Sequence, residues 1–233
     1  MKTITFILQS KGGVGKSAFA YLLANKYKEK TDLLVVDMDN ETNTASNQLK
    51  FMSPLTHNLI DTGTKTIDRS SFDTFFENFI HSDKFASALC DLGATTSEQF
   101  VVFLKENGDE IIKELVNMGI RVQICCVIAG QNAFPASSEY CRELFQYLSN
   151  ADVTKFIIKN NYYEFTQEQT EALQQLSELT NSKIQEFNIV PGNVPGTLKE
   201  VHALMEEGIA LENAKTFTKI RLKSSMDSIF IEC

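Results

Sequence analysis

The sequence has no surplus of positive charge. Its 22 lysines and arginines stand against 30 aspartates and glutamates, a formal net charge of −8. That balance argues against autonomous DNA binding through a broad basic face and leaves room only for a local patch. It also has no cysteine pairing pattern. The five cysteines form no CxxC or Cys/His cluster. Cys125 and Cys126 are adjacent in an apolar run, so in a strand they face opposite ways and cannot share a metal. Cys90, Cys141 and Cys233 are scattered. Free thiols in a reducing compartment are expected, with neither zinc nor disulfides. His57, His81 and His202 form no motif. No charge-free apolar stretch reaches membrane-spanning length, and the segment MKTITFILQSKGG is too poor in apolar residues for a signal peptide. A cytoplasmic protein is the expectation. No repeat, low-complexity tract or Pro/Gly-rich linker divides the 233 residues. One domain over 1–233 is therefore expected, with a C-terminal helical segment from about 210 to 233.

What is present is a regular alternation. Apolar runs at 4–9, 33–37, 85–91, 121–129, 153–159 and 183–190 read as strands. Helical patterns at 16–28, 97–118 (with a break at Gly108), 135–148, 167–179 and 197–207 separate them. Phe72, Phe75, Phe76, Phe79 and Ile80 share one helical face, with Ser71 placed to cap it. The stretch 40–65 is polar and patternless and is expected to be loop. Strands separated by helices of this length imply parallel pairing through right-handed crossovers. The fold class predicted is α/β, a single domain with a mostly parallel sheet covered by helices on both faces.

Between the first strand and the first helix lies Ser10-Lys11-Gly12-Gly13-Val14-Gly15-Lys16-Ser17, followed by Ala18. Glycines let the backbone turn tightly so that successive N–H groups point at an anion, and the following helix presents its positive end to it. Lys16 is placed to reach the β- and γ-phosphates of ATP, and the Ser17 hydroxyl to ligate Mg²⁺. Ser10 stands where the common loop pattern has its first glycine. Gly13-Val14-Gly15-Lys16-Ser17-Ala18 also fits the dinucleotide pattern G-x-G-x-x-A, with Asp37 and Asp39 about where a ribose-binding acid would sit. That pattern does not ask for the Lys16-Ser17 pair, so a nucleoside triphosphate is the better ligand.

Three aspartates follow apolar strands: Asp37, Asp39 and Asp91. Ligands of open parallel sheets collect at the carboxyl ends of strands, so all three are expected to converge on the loop. Asp91 has the form of a Walker B acid, Asp37 is placed to hold a metal-bound water, and Asp39 to orient the attacking water.

These residues resemble the deviant Walker A ATPases, the group that includes ParA and MinD, over roughly residues 1–210. Lys11 through Ser17 matches their loop, including the extra lysine; Asp37-Met38-Asp39 matches switch I and Asp91-Leu92-Gly93 switch II. The resemblance implies an ATP-dependent homodimer in which Lys11 touches the partner's ATP. It also implies an adenine-reading asparagine at Asn160 or Asn161, and an adenine-side loop opened by Pro191. The TraL-like branch of conjugative plasmids is the nearest in likeness, through Leu8-Gln9, Phe72-Asp73 and Asp91-Leu92-Gly93-Ala94. Asn40 and Glu41 depart from the usual proline and glutamine after switch I, which puts the timing of hydrolysis in doubt.

The function expected is a slow, partner-stimulated ATPase switch acting in plasmid partition, positioning or conjugative transfer. The alternatives are a metabolic ATP-dependent ligase on the same fold, or a nucleotide-binding scaffold with negligible turnover. The partner protein is not specified by the sequence. Lys215, Lys219, Arg221 and Lys223, with Phe217, Ile220 and Leu222, could form a patch for DNA or membrane. The expectation is instead a last helix that packs its apolar face and solvates its lysines.

Overall fold

The computed structural model describes residues 1–39, 44–59 and 68–233. The strands are β1 (Thr3–Leu8), β2 (Leu33–Met38), β3 (Leu55–Thr56), β4 (Ser87–Leu92), β5 (Arg121–Ala129), β6 (Thr154–Asn160) and β7 (Lys183–Phe187). They form one seven-stranded sheet, order β3-β2-β4-β1-β5-β6-β7, with every pairing parallel. The chain leaves β1 toward β2 on one side and later builds β5, β6 and β7 on the other. The crevice where the two directions part lies at the carboxyl end of β1.

Alternate strand residues feed two cores. One face takes Phe6, Cys90 and Cys126 under α3 (Ser70–Ile80), α4 (Ala94–Phe103), α5 (Asp109–Asn117), α6 (Phe134–Tyr147) and α7 (Gln167–Thr180). The other takes Ile7, Leu89 and Cys125 under α1 (Lys16–Lys26), α2 (Thr44–Gln48), α8 (Pro195–Glu207) and α9 (Thr216–Asp227). The expected opposition of Cys125 and Cys126 is what the pleat produces, and all five cysteines are buried free thiols. The first core is rich in phenylalanine: the Phe100 ring lies 5.2 Å from Phe6 and 5.3 Å from Phe72. Burying each such ring contributes about 1.5–3 kcal/mol relative to exposure.

Five local expectations are corrected. Ser71 does not cap α3; it lies inside the helix, and Asp68 Oδ1 accepts the Ser70 N–H at 3.0 Å. The described part of 40–65 is not all loop, because α2, the turn Lys50–Met52 and β3 lie in it. Short elements of this size carry no periodic signature and form by packing on α8 and β2. The last residues are not helical to the end. After α9 the chain has no regular structure, and Ile229 and Ile231 are buried in the second core. Finally, α9 does not pack an apolar stripe. Leu222 is buried, but Phe217 is 74% and Ile220 62% exposed, while Thr218 and Ser225 face inward. The helix docks through polar groups instead: Glu200 accepts the Lys215 N–H at 2.6 Å and the Thr218 hydroxyl at 2.8 Å. Within 97–118, the helical pattern begins earlier, at Ala94, and passes through a π turn at Leu104–Gly108.

Candidate functional site

The loop between β1 and α1 is shaped by two left-handed glycines, Gly13 (φ 76°) and Gly15 (φ 100°). Gly15 caps α1, and a Cβ there would come within 2.4 Å of Asn160 Nδ2. Both conformation and space therefore demand glycine. Gln9, the buried residue that leaves β1, anchors the loop's base. Its Nε2 donates to the Val127 and Ser137 carbonyls, both at 2.9 Å, and its Oε1 accepts the Lys11 N–H at 3.2 Å. Lys16 donates to the Gln9 carbonyl at 2.9 Å and is only 9% exposed. Burial pushes its pKa down, against the raising charges of Asp91 and Asp39. Lys11, by contrast, is exposed.

A cavity of about 480 Å³ opens over the loop. Gly12, Gly13, Gly15, Lys16, Ser17 and Ala18 line one side, and Asp39, Gln48, Asp91 and Met205 the other. Val14 is buried beneath. Of the three acids, the structure brings Asp39 and Asp91 into this cavity. Asp37 is fully buried and turned to the backbone: its Oδ1 accepts the Asp39 N–H at 2.9 Å and its Oδ2 the Ser46 N–H at 2.5 Å. It thereby fixes where Asp39 stands. The Asp39 carboxylate packs against Gly93, where a Cβ would come within 2.5 Å of its Oδ1. Asn40 and Glu41 lie outside the described residues.

Asp91 is 4% exposed, and its Oδ1 has no hydrogen-bond partner. Desolvation raises its pKa to about 7, although the Lys16 charge and the Ser17 hydroxyl pull the other way. A buried carboxylate oxygen left without a donor, beside a serine hydroxyl, is a donor set suited to a hard, oxygen-seeking cation such as Mg²⁺.

A second, smaller cavity of about 170 Å³ adjoins the first through Gly15, Ala18 and Met205. It is lined also by Asn160, Tyr162, Tyr163 and His202. Asn160 ends β6 with its Nδ2 donating to the Val14 carbonyl at 2.8 Å and its Oδ1 accepting the Tyr162 N–H at 3.1 Å. Asn161 instead pairs with Glu186 at the surface, at 3.0 Å. Pro191 opens the single turn Pro191–Asn193 after β7.

Several residues of the site were not read as such from the sequence. Gln9 had a signal, being a lone amide where an apolar strand meets the loop. Tyr163, whose hydroxyl donates to the Gly13 carbonyl at 2.5 Å, and His202 and Met205 had none, because their approach depends on packing far along the chain. Gln48 sits in the stretch that showed no pattern at all.

A parallel sheet whose central strand runs into a glycine-rich turn and a helix N-terminus, with strand-end aspartates around it, defines a P-loop nucleotide-binding fold. Within that class the fold is of the ParA/MinD type. It is similar to MinD, a cell division protein of Aquifex aeolicus (TM-score 0.55, 11% identity, 100% of this chain and 98% of that one). It is similar also to a plasmid partition protein of Borrelia burgdorferi (TM-score 0.52, 15% identity, 89% and 98%). An aspartate-to-alanine variant of Cyanothece McdA in complex with ATP gives a TM-score of 0.52 at 12% identity, over 100% and 98% of the two chains. No family model and no curated protein sequence matches the chain. No helix among the described residues is long and apolar enough to cross a membrane.

Proposed function

We propose that this protein is an ATP-binding, ATP-hydrolysing switch of the ParA/MinD type, which dimerises with ATP and separates after hydrolysis. The observation that carries the reading is the single cavity in which Lys16, Ser17, Asp39 and Asp91 meet over the loop. Loop N–H groups and Lys16 bind the phosphates, the lysine leaving the Gln9 carbonyl to do so. Ser17 and Asp91 are the residues that would hold Mg²⁺, which when bound neutralises charge on the β- and γ-phosphates. Asp37 holds the Asp39 backbone, and Asp39 orients the attacking water toward the γ-phosphorus. Adenine lies on the Asn160 side, where Tyr162, Tyr163 and His202 offer flat walls; the adenine-side role of Pro191 is part of the same reading. The cargo proposed is a plasmid or protein complex to be partitioned, positioned or transferred by conjugation, as in the TraL-like branch. Partner contact, whether with a protein, DNA or a membrane surface, is assigned to the exposed Phe217, Ile220 and lysines of α9.

Lys11 tests the switch. Its exposure and its place outside the cavity suit a lysine that reaches the γ-phosphate of a second copy, adding charge stabilisation in a water-excluded interface. Sedimentation is run with ATP and with ADP in an Asp39→Ala background that slows hydrolysis. ATP alone is expected to give a dimer, because a ligand that binds the dimeric state more tightly shifts the population toward it. Adding Lys11→Ala is expected to abolish the dimer while ATP binding to the monomer stays within about 3-fold, a residual below one charge-assisted hydrogen bond. A parent that stays monomeric with ATP overturns the switch; a Lys11→Ala variant that dimerises normally removes Lys11 from it.

A further inference from the structure

Only three buried side-chain polar atoms among the described residues lack a hydrogen-bond partner: Asp91 Oδ1, Gln48 Oε1 and Ser225 Oγ. Two of the three line the phosphate cavity, and both are acceptors. A buried acceptor without a donor costs about 1–3 kcal/mol, so two in one place mark a missing donor, not an accident of packing. Phosphate cannot be that donor, because its oxygens are acceptors too. A hydrated cation can, since each metal-bound water offers two polarised O–H groups.

The position of Gln48 is fixed. It ends α2, within which Ser46 donates its N–H to Asp37, and Asp37 in turn holds Asp39. On its far side α2 is pressed against the end of α8: a Cβ on Gly208 would lie 2.4 Å from the Asn47 carbonyl oxygen. The Gln48 amide is thus carried by the same short unit that sets switch I, and it enters the cavity from the wall facing the loop.

We propose that Gln48 is a positioning residue for the metal, its Oε1 accepting from a water in the Mg²⁺ hydration shell. The inference rests on the nucleotide-site reading above and adds to it a ligand-shell residue outside the Asp37-Met38-Asp39 pattern. Magnesium keeps several of its waters when bound, so a neutral amide acceptor at the second shell is a chemically apt partner. The role also accounts for an amide that would otherwise be a net loss to the fold.

The test uses Mn²⁺ as probe, with ADP bound, followed by electron paramagnetic resonance of free Mn²⁺. Gln48→Leu is expected to weaken Mn²⁺ binding to the ADP complex about 10–100-fold, the usual cost of losing an outer-shell partner, with metal-free ADP affinity unchanged. The same substitution is expected to raise the melting temperature of the metal-free, nucleotide-free protein, because it removes an orphaned acceptor. Gln48→Glu, which keeps an acceptor, is expected to retain Mn²⁺ binding and serves if the leucine variant does not fold. Wild-type Mn²⁺ affinity in Gln48→Leu overturns the inference, as does an equal loss of metal-free ADP binding, which would mean that the amide donates to phosphate. Asp91→Asn, measured alongside, separates the two levels of the argument. If it loses Mn²⁺ while Gln48→Leu does not, only the role of Gln48 fails; if neither loses Mn²⁺, the metal site itself is misplaced.

Discussion

At the carboxyl ends of β1, β2 and β4 polar groups are held short of partners, whereas at the amino ends of the same strands they are tied down one after another. The upper end has the orphaned oxygens of Asp91 and Gln48 and a desolvated Lys16. At the lower end Lys2 donates to three carbonyls, of Phe79, Ile80 and Ser82, at 2.6–2.8 Å. Lys30 holds the Cys233 carbonyl at 2.7 Å, Tyr27 the Ile231 carbonyl at 2.7 Å, and Gln123 both Thr5 Oγ1 and the Glu232 carbonyl. Lys155, at the amino end of β6, is the exception, buried with no side-chain hydrogen-bond or ion-pair partner among the described residues and its pKa lowered by burial. The contrast teaches where the fold spends its stability. An unsatisfied group is tolerated where a ligand can complete it, and the opposite end compensates by satisfying nearly all of its buried polar groups.

The comparison breaks most visibly at Lys16. Lys16→Ala is expected to reduce ATP affinity by at least about 10²-fold, since two charge-assisted contacts of about 1.5–3 kcal/mol each are lost. Thermal stability without nucleotide is expected to change little, because its present bond to the Gln9 carbonyl offsets a desolvation cost. Titration with a fluorescent ATP analogue reads the first, and a melting curve the second. Unchanged affinity would remove the phosphate loop from the reading.

Gln123→Leu probes the other end. It removes the amide donor from the Thr5 hydroxyl and the Glu232 carbonyl in a buried site, at a cost of about 1–3 kcal/mol. The melting temperature is expected to fall by about 2–10 °C. ATP affinity should stay as it is. A loss of affinity matching the loss of stability would show that the two ends are not separable.

The smallest effect concerns pH. Asp91 holds its proton more tightly folded than unfolded, its pKa being raised from 3.8 to about 7. Protonation at this group therefore favours the folded state: its contribution is full below about 4 and is lost as pH rises through 7. Asp91→Asn is expected to raise the nucleotide-free melting temperature by a few degrees, about 2–4 °C, at pH 8, and to give no gain near pH 4. Calorimetry at the two pH values decides it, and an equal gain at both would trace the effect to packing.

The legible parts of this protein are those with a local cause. Arg121–Ala129 is a strand because the residues after Arg121 are consecutively suited to a sheet buried on both faces. The loop is readable because Gly13, Gly15, Lys16 and Ser17 have backbone and charge requirements that few other sites share. The Phe72–Ile80 helix is readable because its ring spacing has only one face to occupy. From these the α/β class and the place of the candidate phosphate loop follow without coordinates. Tertiary structure decided the rest. It turned Asp37 away from the cavity and into the backbone at Ser46, a hydrogen bond to a helix too short to announce itself. It separated Asn160 from Asn161, neighbours whose side chains leave the end of β6 in different directions. It exposed Phe217 and Ile220 because Glu200, sixteen or more residues earlier, captures the polar side of α9. It also brought Gln48 into one cavity with Lys16 and Asp91, which lie far from it in the chain on either side. Local sequence sets what a residue can do, but which groups face one cavity depends on long-range packing that no window of the sequence contains.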